Sequence, residues 1–379
     1  MDCNTVCIGD VSSYRKATVR PISGTTYYCY SLPAFDNNRT PEKLDGADIL
    51  SNKLHVEPGD ILVNKLNMRF KRVWPLGALE PNSVCSTEFV PLVPGDKIDG
   101  RYLSYVLISD RFTNQLAGMR TGTSGSHQRV KPEWILEYSF PLPDMDTQRK
   151  IGSVLGSIDQ KIELNNRLNG YLAEMAETIA AKYCEQGGIR LGDICHQVAE
   201  RVDCEEAELE TYVSTESLLQ DKRGRQPAAS LPATGKVTRF VVGDTLISNI
   251  RPYFKKVWYA SFDGTCSSDV LVLRANAAND APYIHACLRQ DSFFGHVMRG
   301  AKGTKMPRGD KKQMMEFCIA PTCEPGDLSV LSASLKQISL NDAESARLAA
   351  LRDYLLPKLM SGEIDVSQID TKQLNSHLP

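Results

Sequence analysis

The sequence predicts an α+β fold: two α/β-rich domains in pseudo-twofold repeat, separated by two long helices packed as an antiparallel coiled coil. Three observations predict it. Residues 59–74, GDILVNKLNMRFKRVW, return at 243–258 as GDTLISNIRPYFKKVW, with seven of the sixteen positions identical. Each copy is followed by a long segment whose apolar residues keep helical spacing. The blocks between those helices hold short β-rich runs broken by Gly, Pro and Asn.

The repeat extends well beyond its opening segment. Gly9-Asp10-Val11 matches Gly192-Asp193-Ile194, and CSTEFV (85–90) matches CSSDVL (266–271). Met119-Arg120 matches Met298-Arg299, and Glu137–Phe140 matches Glu316–Ile319. The separation drifts from 184 to 179 residues, as small loop deletions in the second copy would produce. A period of this length is too long for a solenoid and describes two copies of a whole domain. The expected divisions are 1–145 and 188–324 for the domains, 146–187 and 325–364 for the helices, and 365–379 for a tail.

In the first helix Ile151, Leu155, Ile158 and Ile162 alternate at four and three, and Leu168, Leu172, Met175 and Ile179 resume on a rotated stripe. Asn165 and Asn169 fall where the stripes meet, where a polar layer can fix register. The second helix carries Leu328, Leu331, Leu335 and Ile338, then Leu348, Leu351, Leu355 and Leu359. These stripes are read as helix-packing surface. Pro357 should loosen the last turn, and Gly362 is a plausible C-cap.

At 379 residues, with 42% hydrophobic and 24% charged, the chain has the composition of a globular protein with room for two cores. No run approaches the ~18 apolar residues of a membrane span, and the N-terminus lacks the pattern of a secretory signal. Eleven scattered cysteines without a C-x-x-C pair argue for reduced thiols in a cytoplasm, against a zinc ribbon or a disulfide framework. The expected location is cytoplasmic, with no membrane partner.

A net charge of −2 does not announce a nucleic-acid binder, so local charge must carry that argument. Residues 65–72 present Lys65, Asn67, Arg69, Lys71 and Arg72 with no acid among them. Their copy presents Asn249, Arg251, Tyr253, Lys255 and Lys256. The stretch from Arg299 adds Lys302, Thr304, Lys305 and Arg308, then Lys311 and Lys312, against Asp310 alone. Its counterpart holds Arg120, Thr123, Ser124, Ser126, His127, Gln128 and Arg129. Lysine, arginine, hydroxyls and free backbone N–H groups suit phosphate contacts, which orient a protein without reading sequence. Arg, Asn and Gln have the bidentate reach that base edges require, which Asn67, Gln128, Arg129 and Asn249 satisfy by type. One basic patch alone reads as a solvated face; matched patches in both copies favour a DNA face. Trp74 and Trp258 read as core anchors, and Glu88 and Asp269, which share a position, as residues orienting a neighbouring turn.

Catalytic machinery is hard to find. There is no G-x-x-x-x-G-K-[ST], no Asn-Pro-Pro-aromatic tetrapeptide and no F-x-G-x-G loop for a methyl donor. One nuclease-like match, Asp144 with Asp159-x-Lys161, falls on a helix, where the groups cannot converge on a cation. A standalone or fused nuclease or methyltransferase and a coiled-coil adaptor that never touches DNA remain the alternatives.

PLPDMDTQRKIGSVLGSIDQKIELNNRLN (141–169), LRDYLLPKLMSGEI (351–364) and GTSGSHQRVKPEWI (122–135) resemble the specificity subunit of type I restriction–modification enzymes. The first two look like its central and distal conserved regions, and the third like the end of its first target recognition domain. The resemblance implies a non-catalytic subunit that reads a split, asymmetric site on double-stranded DNA, one half per domain. It implies that the helices dock two methyltransferase (M) subunits and that restriction (R) subunits join them. S-adenosylmethionine, Mg2+ and ATP would bind those partners, and no cofactor or metal this chain.

Overall fold

The computed structural model describes residues 4–37, 39–119 and 129–369. The chain divides into two compact units, Met1–Ile162 with Ala346–Pro379, and Glu163–Ser345. The division falls inside both long helices, so each unit owns a segment of each.

In the first unit, strands β1 (Ser12–Tyr14), β2 (Ile61–Asn64), β3 (Val73–Pro75) and β4 (Phe89–Pro94) form an antiparallel sheet in the order β1-β4-β2-β3. All four residues of β2 are buried, as expected of an unbroken apolar run covered on both faces. A second sheet runs Thr18–Val19, Lys53–His55, Ser83–Cys85, Thr26–Tyr30, Glu42–Asp45. A two-stranded ribbon pairs Asn4–Cys7 with Ser139–Leu142.

The second unit repeats this topology. Strands β5 (Cys195–Gln197), β6 (Thr245–Ser248), β7 (Val257–Tyr259) and β8 (Val270–Ala275) take the order β5-β8-β6-β7. Register repeats as well: Phe89 faces Asn64 in the first unit, and Val270 faces Ser248 in the second. The accompanying sheet, Arg201–Asp203, Lys236–Phe240, Gly264–Cys266, Tyr212–Val213, has no counterpart of Glu42–Asp45 among the described residues. The copies therefore diverge mainly between this sheet's strands, where loops tolerate change.

Helix α1 covers Met145–Gln186. Asp144 opens it, its carboxylate accepting from Thr147 N at 3.0 Å and Thr147 Oγ1 at 2.8 Å. Helix α2 covers Pro325–Ser361 and runs on one turn past Pro357. Gly362 follows with φ +75°, the left-handed value that glycine adopts without a Cβ clash.

Within the first unit, Ile151 and Leu155 of α1 join Leu356 and Leu359 of α2 in the core, with Leu355 packed against it. Each fully buried aliphatic side chain of this kind contributes about 1.5–3 kcal/mol. Ile158 is buried, while Ile162 and Leu348 are half-buried. Leu351, expected on this packing surface, is instead 45% exposed. Arg352 takes the inward position beside it, about 100° further round the helix, and donates to Asp159 at 2.8 Å. Asp159 also accepts from Tyr105 Oη at 2.7 Å, so its carboxylate is committed to holding two elements together.

Within the second unit, Ala176, Ala180 and Tyr183 of α1 share a core with Leu331 of α2. Leu335 is buried, and Leu172, Ile179 and Ile338 are half-buried. Leu168 and Met175, expected on the same stripe, are each 40% exposed, because the inward positions belong to the two alanines and to Asn165. The two asparagines form the expected polar layer. Asn165 Nδ2 donates to Ser345 Oγ at 3.3 Å, and Asn341 Nδ2 donates to Asn169 Oδ1 at 2.7 Å. Tyr183 Oη donates to Asp327 at 2.7 Å, so the two segments run antiparallel.

Candidate nucleic-acid interface

The basic turns are built by one repeated scheme. At the end of β2, Asn64 grips the next residue but one, donating to Leu66 O at 2.6 Å and accepting from Leu66 N at 2.8 Å. At the end of β6, Ser248 Oγ makes the first of these two bonds, donating to Ile250 O at 3.1 Å. Lys65 N donates to Glu88 O at 3.0 Å, and Asn249 N to Asp269 O at 2.9 Å. Val130 N donates to Lys65 O at 2.9 Å, and Gly309 N to Asn249 O at 3.2 Å. Single bridges then join Leu66 to Arg129 and Ile250 to Arg308. Gly309 permits this approach in the second unit: a Cβ there would stand 2.8 Å from Val297 Cγ1 and 3.1 Å from Asn249 Oδ1.

The candidate cations are not the unopposed patch that residues 65–72 suggest in sequence. The fold brings acids to them from far along the chain. Arg72 makes two 2.7 Å bonds to Asp36, and its guanidinium lies 4.7 Å from the Phe70 ring centre. Lys71 lies 2.6 Å from Asp110 and Lys255 3.0 Å from Asp291, equivalent pairs in the two units. Lys255 holds the Asp291 carboxyl below its usual range. Arg129 pairs with Glu88 at 2.6 Å and Arg308 with Asp269 at 3.1 Å, again equivalents. Glu88 and Asp269 thus support the turn twice, by carbonyl and by carboxylate. Lys256 donates to Thr215 O at 2.6 Å, and burial lowers its pKa. Lys302 lies 3.2 Å from Asp310.

Other candidates stand unopposed. Lys65, Arg69, Arg251, Arg299 and Lys305 form no ion pair among the described residues, and Arg69, Arg299, Thr304 and Lys305 are exposed. Tyr253 is 45% and Phe70 54% exposed, placing an aromatic ring on the surface beside each turn. Asn249 is buried, which removes it from a surface role. Arg120, Thr123, Ser124, Ser126, His127 and Gln128 lie outside the described residues. Trp74 and Trp258 are core: Trp74 packs edge-on against Tyr30, and Trp258 against Phe240, with ring centres 4.7 and 5.9 Å apart.

Sequence reasoning missed one feature of the second unit. A cleft of about 280 Å³ is lined by Gln197, Arg201, Thr238, Ser268 and Lys311, among others. Arg201 stands beside the acidic run DCEEAELE, which masks it in any windowed charge count.

The fold defines a tandem α+β protein: one sheet-rich unit written twice, each copy completed by its own antiparallel helix segments. Residues 2–173 match the family model described as the type I restriction modification DNA specificity domain. The chain is similar to the type I restriction enzyme HindI specificity subunit of Haemophilus influenzae, 28% identical over 165 residues, covering 38% of this chain and 36% of the relative. It is also similar to the EcoDI specificity subunit of Escherichia coli, 26% identical over 133 residues, covering 33% of this chain and 29% of that one. The chain thus spans about a third of the length of the curated relatives it matches. The crystal structure of a type I restriction–modification system S subunit from M. genitalium shares the fold at a TM-score of 0.59 and 14% identity, over 95% of this chain and 96% of that one.

Proposed function

We propose that this chain is the non-catalytic DNA sequence-recognition subunit of a type I restriction–modification complex. It binds a bipartite, asymmetric site on double-stranded DNA, one half-site per sheet-rich unit. The observation that carries this reading is the repeated turn. Two units build one backbone scheme at 65–72 and 249–256, yet project different residues from it, which suits two half-sites of different sequence. Its helices dock two methyltransferase subunits, and restriction subunits join that assembly. S-adenosylmethionine, Mg2+ and ATP belong to those partners. No described helix is long and apolar enough to cross a membrane, and we place the chain in the cytoplasm.

Support for docking comes from the second unit, where Leu164, Leu168, Tyr171 and Met175 form an exposed apolar stripe on α1, 37 to 61% exposed. An apolar seam at this spacing suits a partner helix. The test is a map of modified adenines in cells carrying the chain with its methyltransferase. A single two-part motif is expected, and exchanging residues 188–324 for those of a relative should change one half of it. Alteration of both halves by that exchange would overturn the reading.

A further inference from the structure

Asn67 and Arg251 occupy the same place in the two copies, directly after the residues that bridge to Arg129 and Arg308. Both are left-handed, with φ of 53° and 50°. Both open the same turn: Phe70 N donates to Asn67 O at 3.1 Å, and Phe254 N to Arg251 O at 2.9 Å. Glycine is the residue that takes this conformation without penalty; asparagine tolerates it and arginine resists it. Neither copy uses glycine. Each residue also keeps one side-chain polar atom, Asn67 Oδ1 and Arg251 Nε, out of water and without a hydrogen-bond partner. Two unfavourable features recurring together at one repeated position mark a site shaped by something other than folding, and reading a base would turn the Asn67 carboxamide outward, giving its stranded Oδ1 the partner it lacks in the free chain.

The surrounding turn separates two kinds of position. Lys71 and Lys255, Arg72 and Lys256, and Arg129 and Arg308 are basic in both copies, and Lys71, Lys255, Arg129 and Arg308 sit in matched ion pairs. Contacts that are the same in both units cannot distinguish two half-sites, which is the property of phosphate contacts. Between these fixed points the left-handed residue changes from a carboxamide to a guanidinium. These are the groups that pair bidentately with adenine N6/N7 and guanine O6/N7 in the major groove. We propose that Asn67 and Arg251 are the specificity-determining residues of the two units, Asn67 reading an adenine in one half-site and Arg251 a guanine in the other. The proposal rests on the recognition reading given above.

Glycine substitution tests it, because Asn67→Gly and Arg251→Gly keep or ease the left-handed backbone while deleting the side chain. The assembled complex with its methyltransferase subunits is used on duplexes carrying the mapped target, or that target with one base pair changed. Asn67→Gly should lose roughly 5- to 150-fold preference at one A·T pair of one half-site, and Arg251→Gly the same at one G·C pair of the other. Asn67→Asp and Arg251→Met, which preserve bulk but not the paired donors, should lose it too. Circular dichroism should show melting temperatures equal to or above that of the parent chain. Full discrimination retained by both glycine variants would reduce the residues to turn-formers and overturn the inference alone. Absence of any preference for the mapped duplex in the parent complex would overturn the recognition reading, and this inference with it.

Discussion

Lys71 Nζ lies 2.6 Å from Asp110 Oδ1, and Asp110 is the first residue of the helix Asp110–Gly118. In the second unit Lys255 meets Asp291, the first residue of the helix Asp291–Arg299, at 3.0 Å. A helix N-terminus favours an acid, and that acid in turn holds a lysine of the turn. Repetition of the basic turn is thus partly a structural necessity: the lysine recurs because its aspartate does.

That pairing sets the first prediction. Asp110→Asn should free Lys71 and steepen the salt dependence of DNA binding by about one unit of slope. Stability should change by less than about 1 kcal/mol, since the pair is solvent-exposed. Neutralising Lys71 and Arg72 together should do the opposite, weakening binding to all duplexes and flattening the slope. Fluorescence titrations at several salt concentrations check both. An unchanged slope in both variants would take these residues off the DNA face.

The repeat, the sheets and the long helices were legible in the sequence because each has a local signature. Identities at one spacing revealed the copies, and alternating four and three spacing revealed α1 and α2. What was not legible depends on contacts distant in sequence. Asp36, Glu88 and Asp110 neutralise bases that stand next to no acid along the chain. The inward face in the second unit was misread because leucine outranks alanine in any hydrophobic pattern. There Ala176 and Ala180 are the buried residues, in one core with Leu331 of the second helix. Leu351 lost its inward place to Arg352 because a Tyr105–Asp159 pair was waiting for a cation. The left-handed backbone at Asn67 and Arg251 has no sequence signal at all.

His285 supplies a pH prediction for the second unit. It is 3% exposed, with Nδ1 3.1 Å from Thr245 Oγ1. Burial, and secondarily Arg289, hold its pKa well below 6.5. The folded unit keeps His285 neutral, whereas the unfolded chain takes up a proton below about pH 6.5. Stability from this residue is therefore complete above that pH and falls as pH drops toward the folded value, by about 1.4 kcal/mol per pH unit. Urea melts at pH 7, 6 and 5 should show this decline, and His285→Asn should flatten it. Parallel declines in both proteins would assign the effect to other groups.

The exposed stripe on α1 yields a third prediction. Leu168→Asp with Tyr171→Asp should leave the melting temperature of the chain within a degree or two, because neither side chain lies in a core. Co-purification of the methyltransferase subunit should fall at least tenfold. Ala180→Leu is the converse control: at a fully buried position it should destabilise the second unit by about 1–3 kcal/mol through overpacking. Normal co-purification by the double aspartate variant would move the dock elsewhere.

Helix length gives the last prediction, and the antiparallel pairing dictates how it must be made. Asn165 bonds Ser345, Asn169 bonds Asn341 and Tyr183 bonds Asp327, so each step along α1 is one step back along α2. Ala173 accordingly lies across from Gln337. Four residues inserted after Ala173 alone would pull either the asparagine layer or the Tyr183–Asp327 bond out of register, and should inactivate the complex. Four inserted after Ala173 together with four before Gln337 preserve both contacts and lengthen the pair by ~6 Å, at ~1.5 Å per residue. One base pair rises ~3.4 Å, so the gap between half-sites should grow by one to two base pairs. The half-site sequences should stay the same, because the sheet-rich parts of both units are untouched. Matched insertions of two residues rotate the distal part of the helix pair by ~200° and should abolish recognition of any two-part site. Methylation mapping with each insertion reads the outcome directly, and an unaltered gap in an active four-residue variant would show that the helices do not set the spacing.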